Sequence, residues 1–164
     1  MNIELVTVYL GIGSNMGDRK ENIEKAIDYL SQKLRVTEKS SIYDTEPVGI
    51  REQPRFLNMV CQVKTMLKAA DLLVLAKAIE SKLGRMPGKR NSPRPIDIDI
   101  LFYGDEIINT PELRIPHPRL THRAFVLVPL AEIAPTLVHP LNRKSAGELL
   151  KELKHGVQGV LRLG

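Results

Sequence analysis

Cysteine is nearly absent from this sequence, and its scarcity excludes several kinds of protein. Cys61 is the single cysteine among 164 residues. One cysteine cannot form an internal disulfide or a cysteine-based zinc site, and this usage is typical of proteins in a reducing cytosol. We therefore expect a cytoplasmic protein in which Cys61 fills the core.

Long apolar runs are also lacking, and we expect no secretory leader. The longest uncharged apolar run covers residues 124–131 and contains Pro129, whereas a membrane-spanning helix needs about 20 apolar residues. Residues 1–5 are acidic rather than basic, and polar residues and glycines interrupt the apolar stretch that follows. A secreted protein's leader has the opposite pattern. We expect neither a membrane partner nor a secreted protein.

The glycine-rich motifs that bind phosphate are missing as well. No Walker A pattern occurs, and the stretch GIGSNM at 11–16 lacks the third glycine of a dinucleotide-binding fingerprint. Any phosphates that this protein binds must therefore be held by side chains and metal instead of a glycine cradle.

The sequence does contain a clear order of strand and helix patterns. Apolar residues alternate over 6–12 and 57–65, which predicts strands, and they recur at helical spacing over 19–34 and 72–83. We expect a weaker strand at 36–43 and another at 96–103. The order β-α-β-β-α-β is typical of an α+β, ferredoxin-like sandwich with both helices on one face of an antiparallel sheet.

The C-terminal third extends this pattern. We expect a hairpin-like pair near 103–108, a helix at 123–133 and a short helix capped by Ser145, with Glu148 at its third position. A chain of this length with 43% hydrophobic residues can bury one substantial core but would divide poorly into two. We expect a single domain over residues 1–164.

Positive charge is concentrated in one segment. The net charge is +5, and residues 84–96 carry Arg85, Lys89, Arg90 and Arg94 without an acidic residue. Such a segment suits an anionic partner, and its prolines and glycines are compatible with a lid whose arginines donate to phosphate. The alternative is a solvated surface loop.

Two carboxylates follow this segment on a predicted strand. Asp97 and Asp99 alternate with Ile96, Ile98 and Ile100, so the aspartates share one face and the isoleucines the other. Two like charges in an aliphatic strand repel each other, which a bound cation relieves, and magnesium prefers such oxygen ligands. The pair could hold two magnesium ions. The alternative is an edge strand whose polar face meets water.

Arg94 lies three residues before Asp97 and has two possible partners. It can pair with the aspartates, or it can reach past them to a phosphate that the metal also touches. Both arrangements suit phosphoryl chemistry, in which positioning and charge neutralisation supply most of the catalysis.

Five short motifs, in order along the sequence, cover nearly the whole chain. They are Gly11-x-Gly13-Ser14-Asn15-x-Gly17-Asp18, Phe56-Leu57-Asn58, Gly84-Arg85, Pro93-Arg94-x-Ile96-Asp97-x-Asp99 and Pro116-His117-Pro118-Arg119. With these motifs the sequence resembles 6-hydroxymethyl-7,8-dihydropterin pyrophosphokinase of folate biosynthesis, a family with a ferredoxin-like fold, and the last two motifs are highly specific in combination.

The resemblance implies an enzyme that transfers pyrophosphate from ATP to the hydroxymethyl oxygen of the dihydropterin and releases AMP. It implies that Asp97 and Asp99 bind two magnesium ions, and that Arg85 and Arg94 grip the phosphates as catalytic residues. The implied ATP contacts are Lys77, Glu80, Arg85, Arg90, Arg94, Ile100, His117 and Arg123. The implied pterin contacts are Thr45, Pro47, Val48, Phe56, Asn58 and Phe125.

Some of these residues could have a structural role instead of a role in binding. Phenylalanine faces and an Asn58 amide suit a flat heterocycle with polar edges, but Phe56 and Phe125 could also be ordinary core residues. His117 could be a loop residue with a local hydrogen bond. The chain also departs from the family pattern at Pro87, where many members have arginine, and at Asn91, where they often have tryptophan.

The competing interpretation is a non-catalytic ferredoxin-like module that binds RNA or a small ligand. An RNA-binding module of this kind presents aromatic side chains in a recognisable pattern on its sheet, and the sequence has only 3 Phe and 4 Tyr and lacks that pattern. We therefore expect small-molecule substrates, no nucleic acid and a monomer.

Overall fold

The computed structural model describes residues 4–45, 55–84, 94–153 and 159–163. Its strands are β1 (Val6–Ser14), β2 (Arg35–Lys39), β3 (Tyr43–Thr45), β4 (Phe56–Thr65), β5 (Asp97–Tyr103), β6 (Ile108–Asn109), β7 (Arg114–Ile115) and β8 (Val160–Arg162). Its α-helices are α1 (Arg19–Ser31), α2 (Ala69–Lys82), α3 (Ala124–Ile133) and α4 (Ala146–Glu152), and a 3-10 turn covers Leu120–His122.

Among the described residues, the main sheet has six strands in the order β5-β1-β4-β3-β8, with β2 also paired to β4. Every pairing in it is antiparallel. β2 and β3 lie along successive parts of the same side of β4, so together they take the place of the second strand of the β-α-β-β-α-β unit. The predicted ferredoxin-like order is confirmed.

Alternating side chains divide the core between the two faces of the sheet. Ile12 of β1 and Ile98 of β5 pack with α1 and α2 on one face, as predicted. Tyr9 of β1 and Phe102 of β5 pack on the other face with α3 and α4. The C-terminal helices therefore form a third layer, and the N-terminal end of α3 lies beside the polar ends of β1 and β5.

The predicted strand over 36–43 is interrupted, and Ser40 is the reason. The Ser40 N–H donates to the carbonyl of Val60 at 2.8 Å, and the Ser40 hydroxyl accepts from Val60 N at 2.9 Å. The N–H and the carbonyl of Val60 are therefore both hydrogen-bonded to Ser40, whereas in a regular strand they would be hydrogen-bonded to the backbone of the neighbouring strand. β3 begins again at Tyr43, opposite Asn58.

Two other boundaries differ from the sequence prediction. α1 ends at Ser31 rather than near residue 34, because Lys33 and Leu34 both donate to the carbonyl of Leu30 in a tight final turn. The expected hairpin near 103–108 lies further along, where β6 pairs with β7. β8 was not predicted, because its three residues carry no distinguishing pattern.

Asp18 caps α1 by accepting from Glu21 N at 3.1 Å. The local predictions for Ser145, Glu148 and Cys61 are confirmed. Ser145 and Glu148 form the reciprocal capping box of α4, each bond measuring 3.1 Å. Cys61 is fully buried in the core, and burial raises the pKa of its thiol to about 12. Within the described ranges, no helix has the length and apolar content that crossing a bilayer requires.

Candidate active site

A cavity of about 360 Å³ opens on the face of the sheet that carries α3. Its lining comes from β1, β3, β4 and β5, from the segment after β7 and from the start of α3. Nine of the residues predicted from sequence lie here: Thr45, Phe56, Asn58, Arg94, Asp97, Asp99, His117, Arg123 and Phe125.

A second cavity, of about 320 Å³, adjoins the first. Lys77 and Glu80 of α2 line it, together with Ile100 of β5. Asp97, Asp99, His117 and Pro118 line both cavities. The two carboxylates therefore lie where the cavities meet, and a group bound in either one is close to them.

The strand pattern explains how the aspartates reach this junction. Ile98 and Ile100 are each 5% exposed and belong to the core under α1 and α2. Asp97 and Asp99 alternate with them on the opposite face and are half-buried. Their α-carbons are roughly 6.5–7 Å apart by strand rise, and this spacing allows both carboxylates to reach one cluster of cations.

Arg94 contacts the first of these aspartates. Its Nη1 lies 3.5 Å from Asp97 Oδ2, and both side chains are largely shielded from solvent. Of the two partners that the sequence allowed, the carboxylate is the one that Arg94 has in this structure. A phosphate bound beside Asp97 would still lie within reach of the same guanidinium.

Asn15 fixes the backbone from which Arg94 projects. The Asn15 side-chain oxygen accepts from Arg94 N at 2.8 Å, and Asn15 N donates to Arg94 O at 3.1 Å. Asn15 is fully buried. The sequence assigned it no role, although it belongs to the Gly-Ser-Asn turn at the end of β1.

Gly13 lies against the Asn58 side chain of the neighbouring strand. The Asn58 amide nitrogen donates to Thr45 Oγ1 at 2.6 Å, which holds two predicted pterin contacts together. A Cβ at Gly13 would overlap Asn58 Oδ1. Any other residue at this position would therefore push Asn58 away from Thr45.

Each phenylalanine in the cavity lies under an arginine. Arg94 Cζ is 5.7 Å from the ring centroid of Phe56, and Arg123 Cζ is 5.3 Å from that of Phe125. These distances allow cation–π attraction. Both rings are only half-buried and line the cavity, and Phe125 also packs against the core under α3 and α4.

The surroundings of His117 favour its neutral form. Burial lowers the pKa of His117 and the charge of Arg123 lowers it further, while Asp97 acts in the opposite direction. Its Nδ1 accepts from Arg119 N at 3.3 Å, which assigns the ring proton to Nε2. The backbone N–H of His117 donates to Leu101 O at 3.0 Å, so this segment is anchored to β5.

Comparison with known proteins identifies the family. The family model described as 7,8-dihydro-6-hydroxymethylpterin-pyrophosphokinase (HPPK) matches residues 9–135. The chain belongs to the HPPK family. It is an ATP-dependent transferase, and the sequence prediction of a pyrophosphokinase is confirmed.

Similar proteins include 2-amino-4-hydroxy-6-hydroxymethyldihydropteridine pyrophosphokinases from two bacteria. The Aquifex aeolicus protein is 45% identical over 150 residues, covering 92% of this chain and 91% of that protein. The Bacillus subtilis protein is 47% identical over 127 residues, covering 76% of each. The Dictyostelium discoideum folic acid synthesis protein FOL1 is 42% identical over 91% of this chain, but this chain spans only 23% of that protein.

Solved structures support the fold. The HPPK-DHPS A437G protein of Plasmodium falciparum with pteroate has a TM-score of 0.80 to this chain at 16% identity. The match covers 98% of this chain and 44% of that one. At this level of identity the likeness concerns the fold alone, and it agrees with the ferredoxin-like order of the HPPK chain.

Glu80 of this HPPK chain has a structural contact as well as a place in the second cavity. Its Oε2 accepts from Ile98 N at 2.8 Å, and the side chain is 7% exposed. The bond joins α2 to the peptide between the two aspartates. Glu80 therefore helps to fix β5, whether or not it also contacts nucleotide.

The donor set at Asp97 and Asp99 fits magnesium better than zinc. No group of three or more His, Cys, Asp or Glu residues that could hold a metal occurs among residues 4–45, 55–84, 94–153 and 159–163. Zinc takes three or four protein ligands. Magnesium is commonly bound by one or two carboxylates, with substrate phosphates and waters completing its shell, so two carboxylates at the junction of two cavities suit an HPPK.

Four predicted site residues lie outside the described part of the chain, and two arginines that line the cavities were not predicted. Pro47, Val48, Arg85 and Arg90 lie outside the described residues. Arg119 lines the first cavity and Arg114 the second, but neither was predicted from the sequence to have a role. Arg119 stands in the Pro-His-Pro-Arg motif, which was the available signal. The predictions of one domain over 1–164, of a monomer and of a cytoplasmic location stay predictions.

Proposed function

We propose that this chain binds 6-hydroxymethyl-7,8-dihydropterin in the first cavity and the triphosphate of ATP in the second, with Asp97 and Asp99 between them. The observation that carries this proposal is that the two aspartates line both cavities. A transfer between two bound substrates requires such a junction, because the reacting atoms must approach to about 3–3.5 Å.

The first cavity has the chemistry of a pterin site. Phe56 and Phe125 offer faces to a flat ring, and both line the cavity. Asn58 and Thr45 supply polar groups at its wall and are already hydrogen-bonded to each other. A few fixed polar groups among aromatic side chains are typical of sites for small heterocycles. Pro47 and Val48 are proposed to complete the wall.

The second cavity has the chemistry of a nucleotide site. Lys77 lies on its α2 side and His117 at its junction with the first cavity. Ile100 belongs to the β5 stretch beside this cavity, where its backbone is proposed to meet the adenine. Arg94 and Arg123 bring positive charge from the side of the first cavity. Arg85 and Arg90 are proposed as further phosphate contacts.

Asp97 and Asp99 are proposed to hold two magnesium ions. When bound, these ions neutralise and orient the phosphates of ATP. The Asp97–Arg94 pair then has a purpose in the free protein, because it offsets two neighbouring carboxylates before the cations and ATP arrive.

The transfer itself is a displacement at the β-phosphorus of ATP. The hydroxymethyl oxygen of the pterin forms a new bond to the β-phosphorus, as the bond from that phosphorus to the oxygen shared with the α-phosphate breaks. AMP leaves with the electron pair of the broken bond, and the hydroxyl proton is released to water. Arg94 and Arg123 are proposed to stabilise the charge on the transferring and departing phosphates.

Release of AMP tests this proposal. Purified protein with ATP and magnesium should produce AMP only when the hydroxymethyl dihydropterin is added, and chelation of magnesium should stop the reaction. The variant Asp97→Asn should lose nearly all turnover, whereas Asp105→Asn, an exposed residue in the turn after β5, should keep it. Folded protein that makes no AMP, or a fully active Asp97→Asn, would contradict the proposal.

A further inference from the structure

Arg55 lies directly behind the wall that we assign to the pterin. Along β4, Phe56 and Asn58 face the first cavity, while Leu57 faces the core under α1 and α2. Side chains alternate along a strand, so Arg55 projects to the Leu57 side, away from the cavity. Nothing in the proposed chemistry uses it.

The Arg55 guanidinium joins three segments at this point. Its Nε lies 2.5 Å from Asp44 Oδ1. Its Nη2 donates to Asp44 O at 3.3 Å and to Gly159 O at 3.0 Å. Its own carbonyl accepts from Arg19 Nη1, at the start of α1, at 2.7 Å. Bonds in which a planar guanidinium meets several acceptors at once are the stronger and more directional kind.

The strands that these contacts tie together are short. β3 and β8 have three residues each, and the register ends with Thr45 between Phe56 and Val160. Arg55 lies at this same end, beside the last pairs. A three-residue strand has few ladder bonds to fix its position, so a charged clamp at its end has a large share in holding Thr45 in place.

Solvent reduces the energy of this clamp without removing it. The side chains are 38% exposed at Arg55 and 28% at Asp44, and an isolated ion pair at such exposure contributes little to stability. Arg55 differs from an isolated pair because it also donates to two backbone carbonyls, Asp44 O in β3 and Gly159 O just before β8. We therefore expect its loss to affect local geometry more than global stability.

We propose that Arg55 is a positioning residue for the pterin site, which clamps β3 and the C-terminal strand β8 to β4 so that Thr45, Phe56 and Asn58 hold their places. The inference rests on the proposed function, since it takes these three residues as the pterin wall. It makes β8, which contributes no residue to either cavity, part of the support of the site.

The test separates the two substrates. Arg55→Met should raise the KM for the dihydropterin about tenfold, equivalent to ~1.4 kcal/mol, while the KM for ATP and the melting temperature change little. Arg55→Lys should recover part of the loss, because an ammonium can reach one acceptor but not span three. Arg35→Met, an exposed arginine on β2 of the same sheet, is the matched control and should behave as wild type.

Removal of residues 159–164 supplies a second, independent variant. It deletes β8 and the Gly159 carbonyl and should also raise the pterin KM. In a double variant that combines this truncation with Arg55→Met, the rise in the pterin KM should be much smaller than the two separate effects added together. The reason is that both changes break the same contact.

The possible outcomes are distinguishable. If wild-type protein forms no AMP with the pterin, the proposed function and this inference fail together. If the wild type is active and Arg55→Met leaves the pterin KM unchanged, or raises both KM values equally, only the clamp is refuted. A lower melting temperature with an unchanged pterin KM would show a purely structural arginine and would also overturn it.

Discussion

Asn15 and Arg94 exchange two hydrogen bonds across the end of β1. The Asn15 side chain accepts from Arg94 N at 2.8 Å, and Asn15 N donates to Arg94 O at 3.1 Å. A buried amide thus sets the backbone of the residue that leads into the aspartate strand. The position of the arginine next to Asp97 depends on a residue 79 positions away in sequence.

Asn15→Ala should damage both the fold and the reaction. It leaves the Arg94 N–H without its acceptor in a buried place, which costs about 1–3 kcal/mol, measurable as the free energy of unfolding in urea. Turnover should fall more than the pterin KM rises, because Arg94 loses its fixed position. Asn109→Ala, at an exposed site on β6, is the control. Wild-type turnover in a destabilised Asn15→Ala would disprove the positioning role.

Gly13→Ala should weaken pterin binding selectively. The added methyl group overlaps Asn58 Oδ1 and so forces Asn58 from Thr45, and we expect at least a tenfold rise in the pterin dissociation constant, about 1.4 kcal/mol. Calorimetric titration of the pterin would measure it.

Gly11→Ala is the matched comparison for this change. Gly11 lies on the same strand, but a Cβ there meets Leu101 Cδ2 at 3.5 Å, which is ordinary contact. Its effect on pterin affinity should be much smaller than that of Gly13→Ala. Equal affinities in the two variants would mean that the Asn58 contact does not shape the site.

Arg94→Ala should reduce turnover much more than pterin affinity. Its guanidinium is proposed to act on the transferring phosphates, and removal of one such donor costs roughly 100-fold or more in rate. The measurement is a steady-state comparison of kcat and both KM values, with Arg35→Ala as the control. Equal losses in turnover and in pterin affinity would instead indicate that the Asp97 ion pair and the Phe56 contact are its main contributions.

Stability should depend on pH through Tyr43 and Glu132. Tyr43 OH donates to Glu132 Oε1 at 2.7 Å. Burial, and then this bond, raises the pKa of Tyr43 to about 12. Burial alone would raise the pKa of Glu132. Hydrogen bonds from Tyr43 and Ser41 outweigh this effect, so the pKa of Glu132 is lowered, and the positive charge of nearby Arg162 lowers it further.

The two shifts act at opposite ends of the pH range. Because folding raises the pKa of Tyr43 from 10 to about 12, protonated Tyr43 contributes its full stabilisation of the folded state below pH 10. This contribution is lost as the pH rises towards 12. Because folding lowers the pKa of Glu132, its ionised carboxylate stabilises the folded state at pH values above the ordinary pKa of 4.5. This contribution is lost as the pH falls through the pKa of Glu132 in the folded protein. Urea unfolding of wild type and Tyr43→Phe across pH should show their difference shrinking between pH 10 and 12. A stability difference that stays constant between pH 10 and 12 would contradict the predicted contribution of Tyr43.

Glu132→Gln addresses the acid half of the same interaction. The amide cannot ionise, so the stability difference between wild type and this variant should shrink as the pH falls below 4.5. A difference that stays constant on acidification would show that the Glu132 carboxylate does not contribute through its charge.

Most of the candidate site could be predicted because its residues lie in short, distinctive motifs. The alternation of Asp97 and Asp99 with isoleucines fixed which face they share, and that face proved to line the cavity. The partner of Arg94 could not be decided, since a carboxylate and a phosphate satisfy a guanidinium equally well. Phe56 could be placed in the wall instead of the core only from its exposure.

The contacts that the sequence did not reveal involve the backbone or residues far apart in the chain, and one of them is made by Glu80, which was predicted only as an ATP contact. Gly13 matters because Asn58 of another strand occupies the space of its absent side chain. Glu80 joins α2 to the aspartate strand through one backbone N–H. Neither relation leaves a periodic signal, because sequence patterns report which face a residue occupies and not which residue it meets across the sheet.

The sequence by itself determined the order of strands and helices, the shared face of the two aspartates, and membership of a pyrophosphokinase family, because periodicity and motif spacing are local properties of the chain. Only the tertiary structure decided that the two cavities meet at those aspartates and that Arg55 joins β3, β4 and β8. Those contacts connect segments up to 104 residues apart, and it is the packing of the two helical layers on one sheet that brings such segments together.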